Sequence, residues 1–197
     1  LGGGSSDAAA TLLGLRRLWD IRLDRDSLLD LASQLGSDVP FFIQGGTALA
    51  SGRGELLEQT VAPAERHAVI VVPEVAGPKA KTAEMYAYLT PAHYSDGART
   101  VEAARRLHNG TSVGEMAFNV FEAVAWRAGD IIETMRVDFL ATHGANPILC
   151  GAGPAMFSLF NDKGTADRCA ARMRANGYRS FSRRLIQEWP IDGIDVL

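Results

Sequence analysis

The stretch LGGGSSDAAATL places three glycines and two hydroxyls ahead of a run of helix formers. Glycines let successive backbone N–H groups turn toward one point, which makes an anion-binding concavity. A helix behind them adds unpaired N–H donors and the positive end of its dipole. Ser5 and Ser6 can cap that helix, donate to phosphate oxygens or bind a magnesium ion, and Asp7 suits either the helix's first turn or the metal. No Gly-Lys-Ser/Thr follows the glycines, so this is not a Walker A loop, and the spacing is not that of a dinucleotide-binding GxGxxG. The same residues also suit a flexible connection to an ordinary capped helix.

A second stretch, GSDVPFF at residues 36–42, puts the carboxylate of Asp38 just after a helix, beside a proline and two phenylalanines. Such a loop can hold one acid rigidly at the edge of a cleft. It can equally be a turn in which Asp38 bonds nearby backbone amides. A third, Gly151-Ala152-Gly153-Pro154, lies between two apolar runs and suits either a ligand contact or a plain strand-to-strand turn.

The elements that must position these residues follow from periodicity. A helix is predicted over residues 8–19 with Ala8, Leu12, Leu15 and Trp19 on one face. Residues 26–30, DSLLD, offer a cap and acidic first turn for a second helix. Leu28, Leu31, Ala32 and Leu35 form its buried face and Gly36 its end. Residues 45–54, GGTALASGRG, read as a strand and turn, and HAVIVVP at 67–73 as a buried strand. Helices are predicted over 79–89, 100–107, 113–128, 130–142 and 165–176. Further strands are predicted over 147–150, 155–160 and 178–185. A domain boundary falls near residue 62, between two α/β units.

Composition narrows the class. Hydrophobic residues at 47% and charged residues at 22% over 197 positions describe a globular chain with material for a sizeable core. A net charge of -3 gives no attraction to nucleic acid or anionic membranes, so an anionic substrate must be held by local dipoles and a few cations. Cys150 and Cys169 make neither a disulfide framework nor a zinc site, which points to a reducing compartment. No apolar run approaches the roughly 20 residues of a membrane-spanning helix. A cytoplasmic location is expected. His67, His93, His108 and His143 have no ligand-like spacing.

Taken together, LGGGSSDAAATL, SDVPFF with the following GGTALASGRGE, and LCGAGPAMFSLF resemble the motifs of the GHMP small-molecule kinases. PEVAGPKAKTAEMY at 73–86 and NVFE at 119–122 extend the likeness, which is looser over 90–115. The resemblance implies an α/β (α+β) protein. Residues 1–62 would be the C-terminal part of a ribosomal-protein-S5-like, ATP-binding domain, and residues 63–197 a ferredoxin-like C-terminal domain.

It also implies roles. Leu1, Gly2, Gly3, Gly4, Ser5 and Ser6 would wrap the triphosphate of ATP, with magnesium near Ser5 or Ser6. Asp38 would be the catalytic acid facing the substrate hydroxyl. Thr82 and Tyr86 would lie on the substrate side, where an aromatic ring stacks on a cytosine base. Gly151 and Gly153 would border the active site, although Cys150 and Ala152 stand where this motif often has a hydroxyl. The middle block favours the subgroup whose acceptor is a cytidine-diphosphate-linked methylerythritol, in the methylerythritol phosphate route to isoprenoids. The alternatives are another kinase of the homoserine or mevalonate type, or a non-catalytic binding module. A lysine beside the catalytic aspartate and the residues that read cytosine would precede residue 1. The resemblance therefore expects a C-terminal fragment that is inactive when expressed alone. Neither Lys79 nor Lys81 takes the place of that lysine.

Overall fold

The computed structural model describes residues 2–64, 67–74, 81–143 and 147–186. The expectations for Leu1, for a helix beginning at Lys79, and for residues 187–197 lie outside these. The chain divides into two compact units, Gly2–Ala62 and Pro63–Leu185.

In the first unit α1 spans Gly3–Leu18, α2 Arg25–Leu35 and α3 Val39–Gln44, followed by a hairpin of β1, Thr47–Ser51, and β2, Leu56–Thr60. The strands pair antiparallel from Thr47↔Thr60 to Ser51↔Leu56. Ala9, Leu13, Leu28, Ala32, Val39 and Ile43 form the core, so each helix contributes one narrow stripe. Asp24 caps α2, its carboxylate accepting the Ser27 N–H at 2.8 Å and the Ser27 hydroxyl at 3.1 Å. The amide bond above all holds the Asp24 carboxyl below its usual range. Pro40 enters α3 in its first turn, where its missing N–H costs no helical bond.

Several expectations are corrected here. α1 begins at Gly3 rather than Ala8, so Gly3 and Gly4 are helical and Asp7 falls beyond the first turn. Its buried face is Ala9 and Leu13, with Ala8 and Leu12 partly covered, while Trp19 is exposed. α2 is capped by Asp24, ahead of the predicted 26–30 stretch, because the Asp24 side chain reaches its third following residue. Leu31 and Leu35 are exposed, since the small core covers only the stripe through Leu28 and Ala32. The sequence reading placed neither α3 nor β2.

The second unit is built on a four-stranded antiparallel sheet in the order β4-β5-β3-β6, with β3 His67–Val72, β4 Ile148–Leu149, β5 Met156–Phe160 and β6 Arg179–Arg184. Helices α6, Asp130–His143, and α7, Lys163–Ala175, give the sequence β3-α6-β4-β5-α7-β6. That is the ferredoxin-like arrangement, with β3 and β5 central. Two further helices, α4 over Lys81–Tyr88 and α5 over Ala98–His108, lie between β3 and α6. Val69 and Val71 of β3 meet Met156 and Phe160 of β5, Met135 and Phe139 of α6, and Ala166, Cys169 and Met173 of α7 in one core.

The helix predicted over 113–128 is instead three short 3-10 turns, Gly114–Met116, Val120–Ala123 and Ala125–Ala128. The reason is Asn119, whose side-chain oxygen accepts the Phe121 N–H at 3.0 Å and so competes with helical bonding. Among the described residues no helix is long and apolar enough to cross a membrane.

Candidate active site

Gly2 caps α1 in the left-handed region, at φ 67°, with no side-chain hydrogen bond to the helix's first amides. The first intrahelical bond runs from the Ser6 N–H to the Gly2 carbonyl at 2.9 Å. The N–H groups of Gly3, Gly4 and Ser5 therefore stand at the helix mouth without intrahelical partners. A side chain at Gly3 or Gly4 would meet nothing within 4 Å, so the space beside them is open. Ser6 is otherwise engaged: its hydroxyl donates to the Gly3 carbonyl at 2.8 Å. Ser5 keeps its hydroxyl without a hydrogen bond among the described residues. Asp7 is exposed, and its carbonyl accepts the Thr11 hydroxyl at 2.8 Å.

Gly2 is fixed by the second motif. A Cβ there would sit 2.8 Å from Cε2 and Cζ of Phe42, so the ring needs the missing side chain as well as the positive φ. Phe42 lies four residues after Asp38, on the same face of α3. One turn, about 6 Å along the axis, thus separates the acid from the ring that seats Gly2. Asp38 is exposed at the N-cap of α3, and its carboxylate makes no capping bond. From the other side comes the hairpin turn: a Cβ on Gly54, at φ 116°, would lie 3.6 Å from Asp38 Oδ1. That turn is braced by Glu55, which accepts the Arg53 N–H at 2.8 Å. Its own backbone N–H first, then that of Arg53, holds the Glu55 carboxyl below its usual range. The structure therefore brings Gly2 to Ser6, Asp38 and the GRGE turn together in one unit.

The remaining candidates belong to the second unit. Thr82 is exposed on α4. Tyr86, one turn on, is 60% exposed but rests edge-to-face on Phe121, with centroids 5.0 Å apart at 86°. The ring is thus anchored on Phe121 while most of the residue stays exposed. Gly151 and Gly153 form the turn between β4 and β5, with the Gly153 N–H donating to the Cys150 carbonyl at 2.8 Å. Gly151 takes φ 52° with open space at its Cβ position, whereas a Cβ on Gly153 would strike Leu149 Cδ1 at 2.9 Å. Burial pushes the Cys150 thiol up, which keeps it protonated. Two residues that the sequence reading left without a role bond the backbone here: Asn119 donates to the carbonyls of Leu149 in β4 and Gly151 in the turn, and Glu122 accepts the Leu149 N–H. The only signal for them was the NVFE string. Among the described residues no three His, Cys, Asp or Glu side chains gather as a metal site.

An anion-ready helix mouth packed on an acid-bearing turn, followed by a ferredoxin-like unit, is matched among known proteins. Residues 1–46 match the GHMP kinases N terminal domain. It is 36% identical over 181 residues to the 4-diphosphocytidyl-2-C-methyl-D-erythritol kinase of Dehalococcoides mccartyi, covering 92% of this chain and 64% of that protein. To the kinase of the same name from Exiguobacterium sibiricum it is 37% identical over 192 residues, covering 92% of this chain and 61% of that one. A crystal structure of 4-(cytidine 5'-diphospho)-2C-methyl-D-erythritol kinase superposes with a TM-score of 0.77 at 32% identity, over 94% of this chain and 65% of the other. Homoserine kinase from Cytophaga hutchinsonii superposes at 0.74 with 16% identity, over 95% and 66% of the two chains, and shares the fold. The chain thus spans a little under two thirds of the length of the curated relatives it matches.

Proposed function

We propose that the protein is an ATP-dependent kinase that phosphorylates a hydroxyl of 4-diphosphocytidyl-2-C-methyl-D-erythritol, giving the 2-phosphate. The observation that carries this reading is the open N-terminus of α1, with its unpartnered amides at Gly3, Gly4 and Ser5, seated through Gly2 on the helix that Asp38 begins. Phosphoryl transfer needs alignment and charge neutralisation more than covalent participation by the protein. The amides and dipole of α1 supply fixed positive potential for the terminal phosphates of ATP. Asp38, exposed and uncommitted to capping, orients the attacking alcohol and accepts its proton. The substrate's choice rests on the relatives' shared name and on the exposed Tyr86 side chain, an aromatic ring that suits a stacked base.

Magnesium fits this reading only as a partner of the nucleotide. With no cluster of protein ligands among the described residues, most of its ligands would be phosphate oxygens and water, with the Ser5 hydroxyl as the available protein oxygen. When bound, the ion supplies charge neutralisation at the phosphates. The domain assignment goes with the same reading: residues 1–62 belong to the ATP-binding domain and 63–197 to the C-terminal domain.

The test is a transfer assay on the full-length gene product with γ-labelled ATP and three acceptors: the cytidine-diphosphate alcohol, homoserine and mevalonate. Label is expected on the first alone. Label on homoserine or mevalonate would replace the substrate, and ATP binding without transfer to any acceptor would favour a non-catalytic module.

A further inference from the structure

Among the described residues, strand β4 has one edge paired with β5 and the other without a strand partner. An exposed strand edge presents N–H and C=O groups that need partners. Here two side chains supply them. Glu122 Oε1 accepts the Leu149 N–H at 2.9 Å, and the Asn119 side-chain amide donates to the Leu149 carbonyl at 2.7 Å. The same amide donates again, at 2.8 Å, to the carbonyl of Gly151 in the glycine turn. Both residues come from one 3-10 turn some 30 positions earlier in the chain, and together they substitute for a neighbouring strand. Arg136 of α6 pairs with Glu122 Oε1 at 3.1 Å, which fixes the carboxylate. Between the two, Phe121 is buried and carries the edge contact to Tyr86.

We propose that Asn119 and Glu122 are positioning residues for the substrate side of the site: their turn sets the Gly151–Gly153 loop and the Tyr86 ring in register with each other. The inference rests on the kinase reading above for its kinetic consequence, though not for its structural one. The chemistry of the bonds dictates which replacements matter. An aspartate at 119 would face two carbonyl oxygens with no N–H to give, whereas a glutamine at 122 keeps the oxygen that Leu149 needs.

The experiment compares Asn119→Asp and Glu122→Gln with the wild type in the full-length gene product, by amide hydrogen exchange and by steady-state kinetics. In Asn119→Asp, exchange across residues 149–153 is expected to rise tenfold or more while β3 keeps its protection. The KM for the cytidine-diphosphate alcohol rises about tenfold, and the KM for ATP stays within twofold. Glu122→Gln stays within threefold of wild type in every reading. Unchanged exchange over 149–153 would overturn the proposal, and so would faster exchange with an unchanged KM for the alcohol, or equal losses for both substrates. Should Asn119→Asp fail to fold, Asn119→Ala removes the same two donors and is read the same way. If the wild type phosphorylates no cytidine-linked alcohol, the kinase reading fails, and the exchange data alone still decide whether the turn anchors the loop.

Discussion

The two units place Gly2 and Gly151 by different means. In Gly2–Ala62 two glycines are held by what presses on them: the Phe42 ring crowds the position of a Gly2 side chain, and Asp38 lies against Gly54. In Pro63–Leu185 the turn at Gly151 has open space at its Cβ position and is tethered through its backbone by the polar side chain of Asn119. Side-chain packing, from Phe42 onto Gly2, fixes the first; side-chain hydrogen bonds, from Asn119 onto the Leu149 and Gly151 carbonyls, fix the second. The first arrangement suits a rigid receptor for phosphate groups, where fixed dipoles must not reorganise. The second leaves a turn whose position depends on a few bonds of modest individual strength.

Three perturbations bear on that contrast. The largest effect is expected from Asp38→Asn, which keeps the shape of the α3 turn and removes the base. Turnover should fall by about a hundredfold or more, while the Kd for ATP, measured by calorimetry, stays within about twofold. Equal turnover would remove Asp38 from the chemistry. Next comes the pair Gly2→Ala and Gly151→Ala. Both pay about 1–2 kcal/mol for a left-handed alanine, but only Gly2→Ala adds a collision with Phe42, so it should lower the urea-unfolding free energy more. Equal losses would mean that the phenylalanine ring yields, and the packing distinction between the units would be lost.

The smallest effect separates the second unit by pH. Tyr178 donates to Asp138 Oδ2 at 2.6 Å, and burial first, then that carboxylate, pushes its phenol from 10.0 up to about 12. The protonated phenol is the form the fold favours. Its contribution is therefore complete below pH 10 and is lost as pH rises toward 12. Tyr178→Phe should flatten the alkaline decline of stability in that window, and an unchanged slope would assign the decline to other groups.

Legibility in the sequence followed the same division. The strands at 67–72 and 156–160 and the helices ending at Leu35 and Ala175 could be read because apolar periodicity and caps are local signals. The glycine-serine cluster and the acid of GSDVPFF were visible as residue types, but α1 absorbed two of the glycines because the backbone there meets no obstacle to helix. What could not be read was any contact with a distant partner. Phe42 gave no sign of reaching back to Gly2, and Asn119 looked like one residue of a continuous helix until its side chain was seen bonding Leu149 and Gly151. A single Asn, capping locally and donating remotely, changed a predicted helix over 113–128 into a series of short turns.

The α1 helix mouth can be tested without catalysis. A non-hydrolysable ATP analogue would be titrated, with magnesium, into the isotope-labelled full-length gene product while the backbone amide resonances are followed. The largest shifts should fall on the Gly3, Gly4 and Ser5 amides, with a smaller change at Asp38. Saturable binding that leaves those three amides unmoved would place the phosphates elsewhere and contradict the assignment of this helix as their receptor.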